Sequence, residues 1–118
     1  MATSYLGRGS FLANAAITAF YGVVISNNRG VGLSTTGAID GFAVVDAASG
    51  DYVTVAFLTN NGTLKGVITA VPVTVGDNLY LGASGQVSTT GTVIVGKSLT
   101  TAATNASIVE FIPKLNAL

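Results

Sequence analysis

The residues best placed to do chemistry are Gly91-Thr92-Val93-Ile94-Val95-Gly96-Lys97-Ser98, a full formal match to the phosphate-loop pattern G-x-x-x-x-G-K-[ST]. Such a loop wraps backbone N–H groups around a phosphate, so it must turn tightly after a buried strand and open a helix. The four intervening residues here, Thr-Val-Ile-Val, favour an extended backbone over a cradle. The stretch that follows, Ser98 to Asn105, lacks helical apolar spacing. The match therefore reads as a strand in a Thr/Gly/Val-rich sheet. The rest of the catalytic inventory is sparse: no His is available as a base near neutrality, and no Cys as a thiolate. The carboxylates Asp40, Asp46, Asp51, Asp77 and Glu110 are scattered, and the four Asp sit beside Gly, Ala or Asn, as turn residues do. Asp46 and Asp51 flank Ala47-Ala48-Ser49-Gly50, and two carboxylates are too few for an oxygen-ligand cage. The sequence thus points to no catalytic, metal or cofactor-binding residues.

Composition says what kind of body would carry these residues. The chain of 118 residues has the length of one domain, and 8% of it is charged, against about 25% in ordinary soluble domains. A surface so poor in charge is weakly protected from association, which predicts contact with other subunits. Five basic and five acidic residues are spread singly, so no basic stripe marks a nucleic-acid or anionic-lipid surface. Nine aromatic residues are read as core packing and subunit contacts, since no bases interleave them as in a single-strand stacking platform. The apolar stretch Phe11 to Ile25, interrupted by Asn14, Thr18 and Gly22, is too short to span a bilayer, and it reads as mature protein with no membrane partner.

Period-two alternation recurs in short runs between Gly, Asn, Asp and Ser, which predicts an all-β fold, a compact barrel or sandwich of short antiparallel strands. Val53, Val55 and Phe57 share one face, and the turn Asn60-Asn61-Gly62 predicts a hairpin returning through Thr63 to Thr69. Further strands are expected over Phe20 to Ile25, Ile39 to Val45, Asn78 to Leu81, Thr92 to Lys97 and Ser107 to Ile112. Pro72 suits an edge or a bend. Only Phe11 to Ala19 and Thr100 to Ala106 are Ala-rich enough for a helical turn or two. Ser34-Thr35-Thr36-Gly37 recurs as Ser88-Thr89-Thr90-Gly91, and the same offset pairs Ala48 with Ala102, Val55 with Val109 and Phe57 with Phe111. Ile17-Thr18-Ala19 also matches Ile68-Thr69-Ala70 with a short insertion. A composition this biased yields some identities by chance; a true duplication predicts two related β-units.

The order of motifs from Asp40 onward carries a resemblance. Asp40-Gly41-Phe42-Ala43-Val44-Val45-Asp46-Ala47-Ala48-Ser49-Gly50-Asp51-Tyr52-Val53-Thr54-Val55 is followed by Val75-Gly76-Asp77-Asn78-Leu79-Tyr80-Leu81, then Ser84-Gly85-Gln86-Val87, Val95-Gly96-Lys97-Ser98-Leu99 and Ile108-Val109-Glu110-Phe111-Ile112. Over roughly Ile17 to Pro113 this resembles the capsid cement, or decoration, proteins of tailed phages. The resemblance implies a β-rich viral structural protein on the outer surface of an assembled head, where it stabilises contacts between major capsid subunits. It also implies a homotrimer, made in the host cytoplasm, that acts without an enzymatic activity, cofactor or small-molecule substrate.

Met1 to Asn14 does not match that pattern, and residues 1–16 are expected to form an extended N-terminal arm ahead of a β domain over 17–118. Within the arm, Tyr5, Leu6, Phe11 and Leu12 are candidate apolar anchors and Arg8 a polar contact to the capsid or a neighbouring subunit, with Gly7 and Gly9 leaving the chain flexible around Arg8. A frayed terminus is the alternative. Two other classes make different predictions: a fibre, pilus or adhesin-like β-module would self-associate without a shell, and an NTPase would bind nucleotide through Lys97.

Overall fold

The computed structural model describes residues 8–27, 30–34, 39–58, 63–69 and 72–113. These residues form strands β1 (Arg8–Ala13), β2 (Gly22–Asn27), β3 (Gly30–Leu33), β4 (Gly41–Ala43) and β5 (Tyr52–Phe57), then β6 (Leu64–Val67), β7 (Asn78–Leu81), β8 (Val87–Ser88), β9 (Ile94–Ser98) and β10 (Ile108–Pro113). A single 3-10 turn lies at Ala83–Gly85, and no α-helix occurs among the described residues. The protein is all-β, as its alternation predicts.

The first five strands close into a barrel in the order β1-β3-β2-β4-β5, and the last five form a curled sheet in the order β6-β10-β9-β7-β8. Strand for strand, the two pair alike. The fifth strand of each unit runs antiparallel to the first and the fourth, and the second runs antiparallel to the third and the fourth. In the first unit β1 and β3 pair in parallel, with Leu12 opposite Gly30 and Ala13 opposite Val31. Among the described residues, the corresponding seam of the second unit shows one parallel bridge, Ile68 to Val87.

Each unit also contains one turn twice. Ile17 and Ala47 exchange backbone hydrogen bonds of 2.8 and 2.9 Å, and Val73 and Ala102 do the same at 2.9 and 3.0 Å. Behind each bridge the chain turns through a residue of positive φ: Phe20 at 70°, Gly50 at 92°, Gly76 at 95° and Ala106 at 68°. The N–H of each donates to a carbonyl at the end of a strand, Phe20 to Ala43, Gly50 to Ala13, Gly76 to Ser98 and Ala106 to Ile68, all at 2.7–2.8 Å. The fold is thus a doubled unit, and each unit contains a doubled turn.

The duplication read from sequence identities is present, in a different register. Pairing places Val53 with Val109 and Val55 with Phe111 as equivalents, two residues away from the alignment that superposes the Ser-Thr-Thr-Gly copies. Ile17 corresponds to Val73, and not to Ile68, whose equivalent is Ala13. The expected hairpin between β5 and β6 does not form, because β5 pairs with β1 and β4 while β6 pairs with β10. There the chain crosses from one unit to the other, and residues 59–62, including Asn60-Asn61-Gly62, lie outside the described ones. The helical turns expected over Phe11 to Ala19 and Thr100 to Ala106 are strand β1 with its turn, and a turn. Long-range pairing decides β1, since its partners stand far along the chain. Pro72 lies exposed between β6 and β7, outside any strand.

Two cores follow from the alternation. Val23, Val31, Val53 and Val55 fill the barrel with Ala13 and Ile17, and Leu64, Ile68, Leu79, Val95 and Phe111 fill the second unit. The second core also takes Phe42 and Ala56 from the barrel. Phe42 is 1% exposed and meets Phe111 edge-on, ring centroids 5.3 Å apart at 69°. Gly66 lies beside it: a Cβ there would press on Val87 at 3.1 Å and on the Phe111 ring at 3.3 Å, and would stand 3.4 Å from the Phe42 ring. The units also meet along the backbone, where a Cβ on Gly85 would lie 2.6 Å from the Gly22 carbonyl oxygen.

Candidate interaction surface

The phosphate-loop match resolves into sheet geometry. Gly96, Lys97 and Ser98 lie within β9, between β7 and β10, and the Ser98 N–H donates to the Asp77 carbonyl at 2.8 Å. A cradle needs free N–H groups converging at a helix start, and this segment is a paired strand. Gly96 is explained by close packing: a Cβ would fall 2.2 Å from the Ile112 carbonyl oxygen. Its equivalent Gly41 faces the same constraint, 2.5 Å from the carbonyl oxygen of Ala56. Lys97 points to solvent, and the buried Ser98 hydroxyl donates to the Thr100 carbonyl at 2.6 Å.

Four of the five carboxylates are occupied in holding the chain. Asp40 accepts from the N–H of Ile25 at 2.8 Å, Asp46 from that of Ala19 at 2.7 Å and Asp77 from that of Thr74 at 2.9 Å. Glu110 accepts from the Thr63 hydroxyl. Among the described residues, no three acidic side chains gather as a metal site. Asp40, Asp46 and Asp77 are thus turn residues, as expected, whose side chains also fix their loops as hydrogen-bond acceptors.

Of the candidate anchors, Tyr5 and Leu6 lie outside the described residues. Arg8, Phe11 and Leu12 belong to β1, opposite Ala56, Val53 and Tyr52 of β5. Residues 8–13 of the expected arm are therefore a barrel strand. Phe11 is half-buried and meets Phe57 edge-on at 5.6 Å and 90°, packing on the barrel core, and Leu12 is also half-buried. Gly9 opposes Val55 in the ladder, and a Cβ there would lie 2.9 Å from the Phe11 ring, so this glycine serves packing where flexibility was expected.

What the molecule offers a partner is surface. A pocket of about 170 Å³ opens between the units, lined by Phe20, Phe42, Val44, Leu64 and Lys65 among others, with the Lys65 ammonium 5.8 Å from the centre of the Phe20 ring. It is smaller than the few hundred Å³ usual for a small-molecule site. Beyond it, Tyr52 is 74% exposed and Val45 47%, while Leu99, Ile108 and Ile112 are exposed on the outward face of β9, β10 and the turn after β9. The sequence signal for these was present, since Tyr52, Ile108 and Ile112 occupy the polar phase of their strands; reading them as surface required knowing which phase faced inward. No described helix is long and apolar enough to cross a membrane.

Comparison with known proteins agrees with this picture. A family model described as phage cement protein matches residues 10–112. Among solved structures, the N base of head fibre gp8.5 of bacteriophage phi29 superposes with a TM-score of 0.70 at 18% identity, over 93% of this chain and 98% of that one. No curated protein sequence matches the chain.

Proposed function

The chain belongs to the phage cement protein family, and on that premise we propose that it binds the outer surface of an assembled phage head as a homotrimer and strengthens contacts between neighbouring major capsid subunits. The family match over residues 10–112 carries this reading. The surface fits the role: 8% charged residues and exposed apolar side chains on both units suit a protein that buries area against neighbours. The carboxylates engaged with backbone N–H groups suit a role in architecture instead of acid–base chemistry. Added contact area across subunit boundaries raises the cost of opening the shell by mass action, and many copies act together.

The terminal segment is assigned a share in this contact, with Tyr5 and Leu6 as apolar anchors ahead of Arg8, Phe11 and Leu12. Because β1 begins at Arg8, a deletion that tests the segment must stop at residue 7. Purified protein mixed with undecorated, expanded heads should pellet with them at a saturating copy number and raise their thermal opening temperature. The chain lacking residues 2–7 should bind more weakly while melting at the same temperature. Heads that neither retain the protein nor gain stability would overturn the cement reading. A chain that polymerises into filaments without heads would favour the fibre-like module instead.

A further inference from the structure

The geometry points to the outward face of β9 and β10 as a docking surface for a second copy of this chain, which inserts the loop from Val45 to Tyr52 in a head-to-tail contact; the inference takes up the self-association in the proposed function and names the surfaces that make it. The first observation is the duplication. In the barrel, Phe42, Val44 and Ala56 lie on the outward face of the fourth and fifth strands, and the second unit covers them, leaving Phe42 at 1% and Ala56 at 0% exposure. Their equivalents in the second unit are Lys97, Leu99 and Ile112, with Ile112 opposite Lys97 as Ala56 is opposite Phe42. This fold therefore already packs that face against another copy of itself, inside one chain. In the second unit the face is bare: Ile112 is 50% exposed, Ile108 52% and Leu99 38%. Buried Val109 and Phe111 alternate with Ile108 and Ile112, so both isoleucines project from the side away from the core.

A second observation selects the region of the partner copy. In the intrachain contact the Phe42 ring lies beside Gly66, 3.4 Å from where a Cβ would stand. At the equivalent of Gly66 the barrel carries Phe11, packed edge-on against Phe57, so the barrel has no socket to offer. Another surface must meet the bare face. That face carries the exposed ammonium of Lys97, and beside it on β6 that of Lys65, which lies over the Phe20 ring; the carboxylate of Glu110, opposite Lys65, leaves the face with one positive charge in excess. The barrel presents a stretch of opposite charge, in which exposed Asp46 and Asp51 flank a loop bordered by Val45 at 47% and Tyr52 at 74% exposure. The positive excess on the face and the two carboxylates of the loop attract one another in a head-to-tail contact. Such a contact is heterologous, and it closes into a ring when its rotation allows.

The test uses full-length protein in the absence of heads, so its result is separate from that of the head-binding assay. Sedimentation over a range of concentrations should show reversible self-association that weakens in high salt. Lys97→Glu and Asp51→Lys should each weaken it by about ten-fold or more, and the double variant should recover most of that loss. Ile112→Ser and Leu99→Ser, at exposed positions, should dissociate the assembly while leaving the melting transition of the monomer in place. Wild-type protein that stays monomeric, or a double variant no better than its parents, overturns the inference. So does a monomer whose Ile112→Ser form loses only head binding, which would give the face to the shell.

Discussion

The two halves of this protein share a strand plan but differ in self-sufficiency. The barrel closes along a parallel seam and fills its own end with Phe11 against Phe57. The second unit reduces that seam to the Ile68–Val87 bridge and carries Gly66 where the barrel has Phe11, so its core is finished by a ring from its neighbour. After duplication, then, one copy can become a plugged module and the other an acceptor for it. Phe42 is the largest side chain that the two units share.

Removing that side chain should have the largest effect. Phe42→Ala deletes a fully buried ring and its edge-on contact with Phe111, so a loss of about 3–5 kcal/mol is expected in urea unfolding. Amide exchange should then accelerate in β6–β10 more than in β1–β5. Phe11→Ala, at a half-buried position, should cost less and leave the second unit protected. Equal losses from the two variants would show that the barrel depends on its plug as heavily as the second unit depends on its borrowed ring.

A smaller effect tests whether the halves are equivalent at the backbone. Gly41 and Gly96 hold the same place in their units, and a Cβ would press on a carbonyl oxygen at 2.5 and 2.2 Å respectively. Neither oxygen can move without shifting a paired strand. Gly41→Ala and Gly96→Ala should each cost about 1–3 kcal/mol or more, with Gly96→Ala the worse. Gly32→Ala, where a Cβ meets nothing within 4 Å, is the control and should melt close to the wild type. A Gly96→Ala protein that melts normally would remove the packing explanation for the second glycine of the phosphate-loop pattern.

These comparisons show what the sequence made legible. The alternation in Tyr52 to Phe57 and Asn78 to Leu81 marks β5 and β7 at their observed limits, because each strand buries one face and its period states which residues point inward. β8 spans two residues and is too short to show a period, the burial of β3 does not alternate, and β1 is held by β3 and β5, so its conformation is decided by distant partners. The repeat was visible as identities but misaligned, because Ser-Thr-Thr-Gly is loop chemistry while register is fixed by inward-facing residues of unlike type, such as Val55 and Phe111. Interaction residues were the hardest to read. Phe11 looks like a terminal anchor until the fold turns its ring onto Phe57, and Ile112 shares the phase of Glu110, which marks it as outward only once the inward phase of β10 is known.

The smallest expected effect concerns the turn that occurs four times. Gly50 and Gly76 hold positive φ at no steric cost, and Gly-Asp after a short loop announces the turn in the sequence. Phe20 and Ala106 hold the same conformation without glycine, which is why their turns could not be read. A side chain there is strained by roughly 1–2 kcal/mol, while glycine gives back about 0.4–1 kcal/mol through the greater freedom of the unfolded chain. Ala106 is exposed, so little packing is lost on its removal. Ala106→Gly should therefore stabilise the protein by several tenths of a kcal/mol, and Gly76→Ala, with nothing within 4 Å of its Cβ, should destabilise it by about 1 kcal/mol. Opposite shifts in melting temperature would establish that the four turns are one backbone solution written with four residues. Shifts of the same sign would mean that the surroundings of Ala106 relieve the strain in a way that those of Gly76 do not.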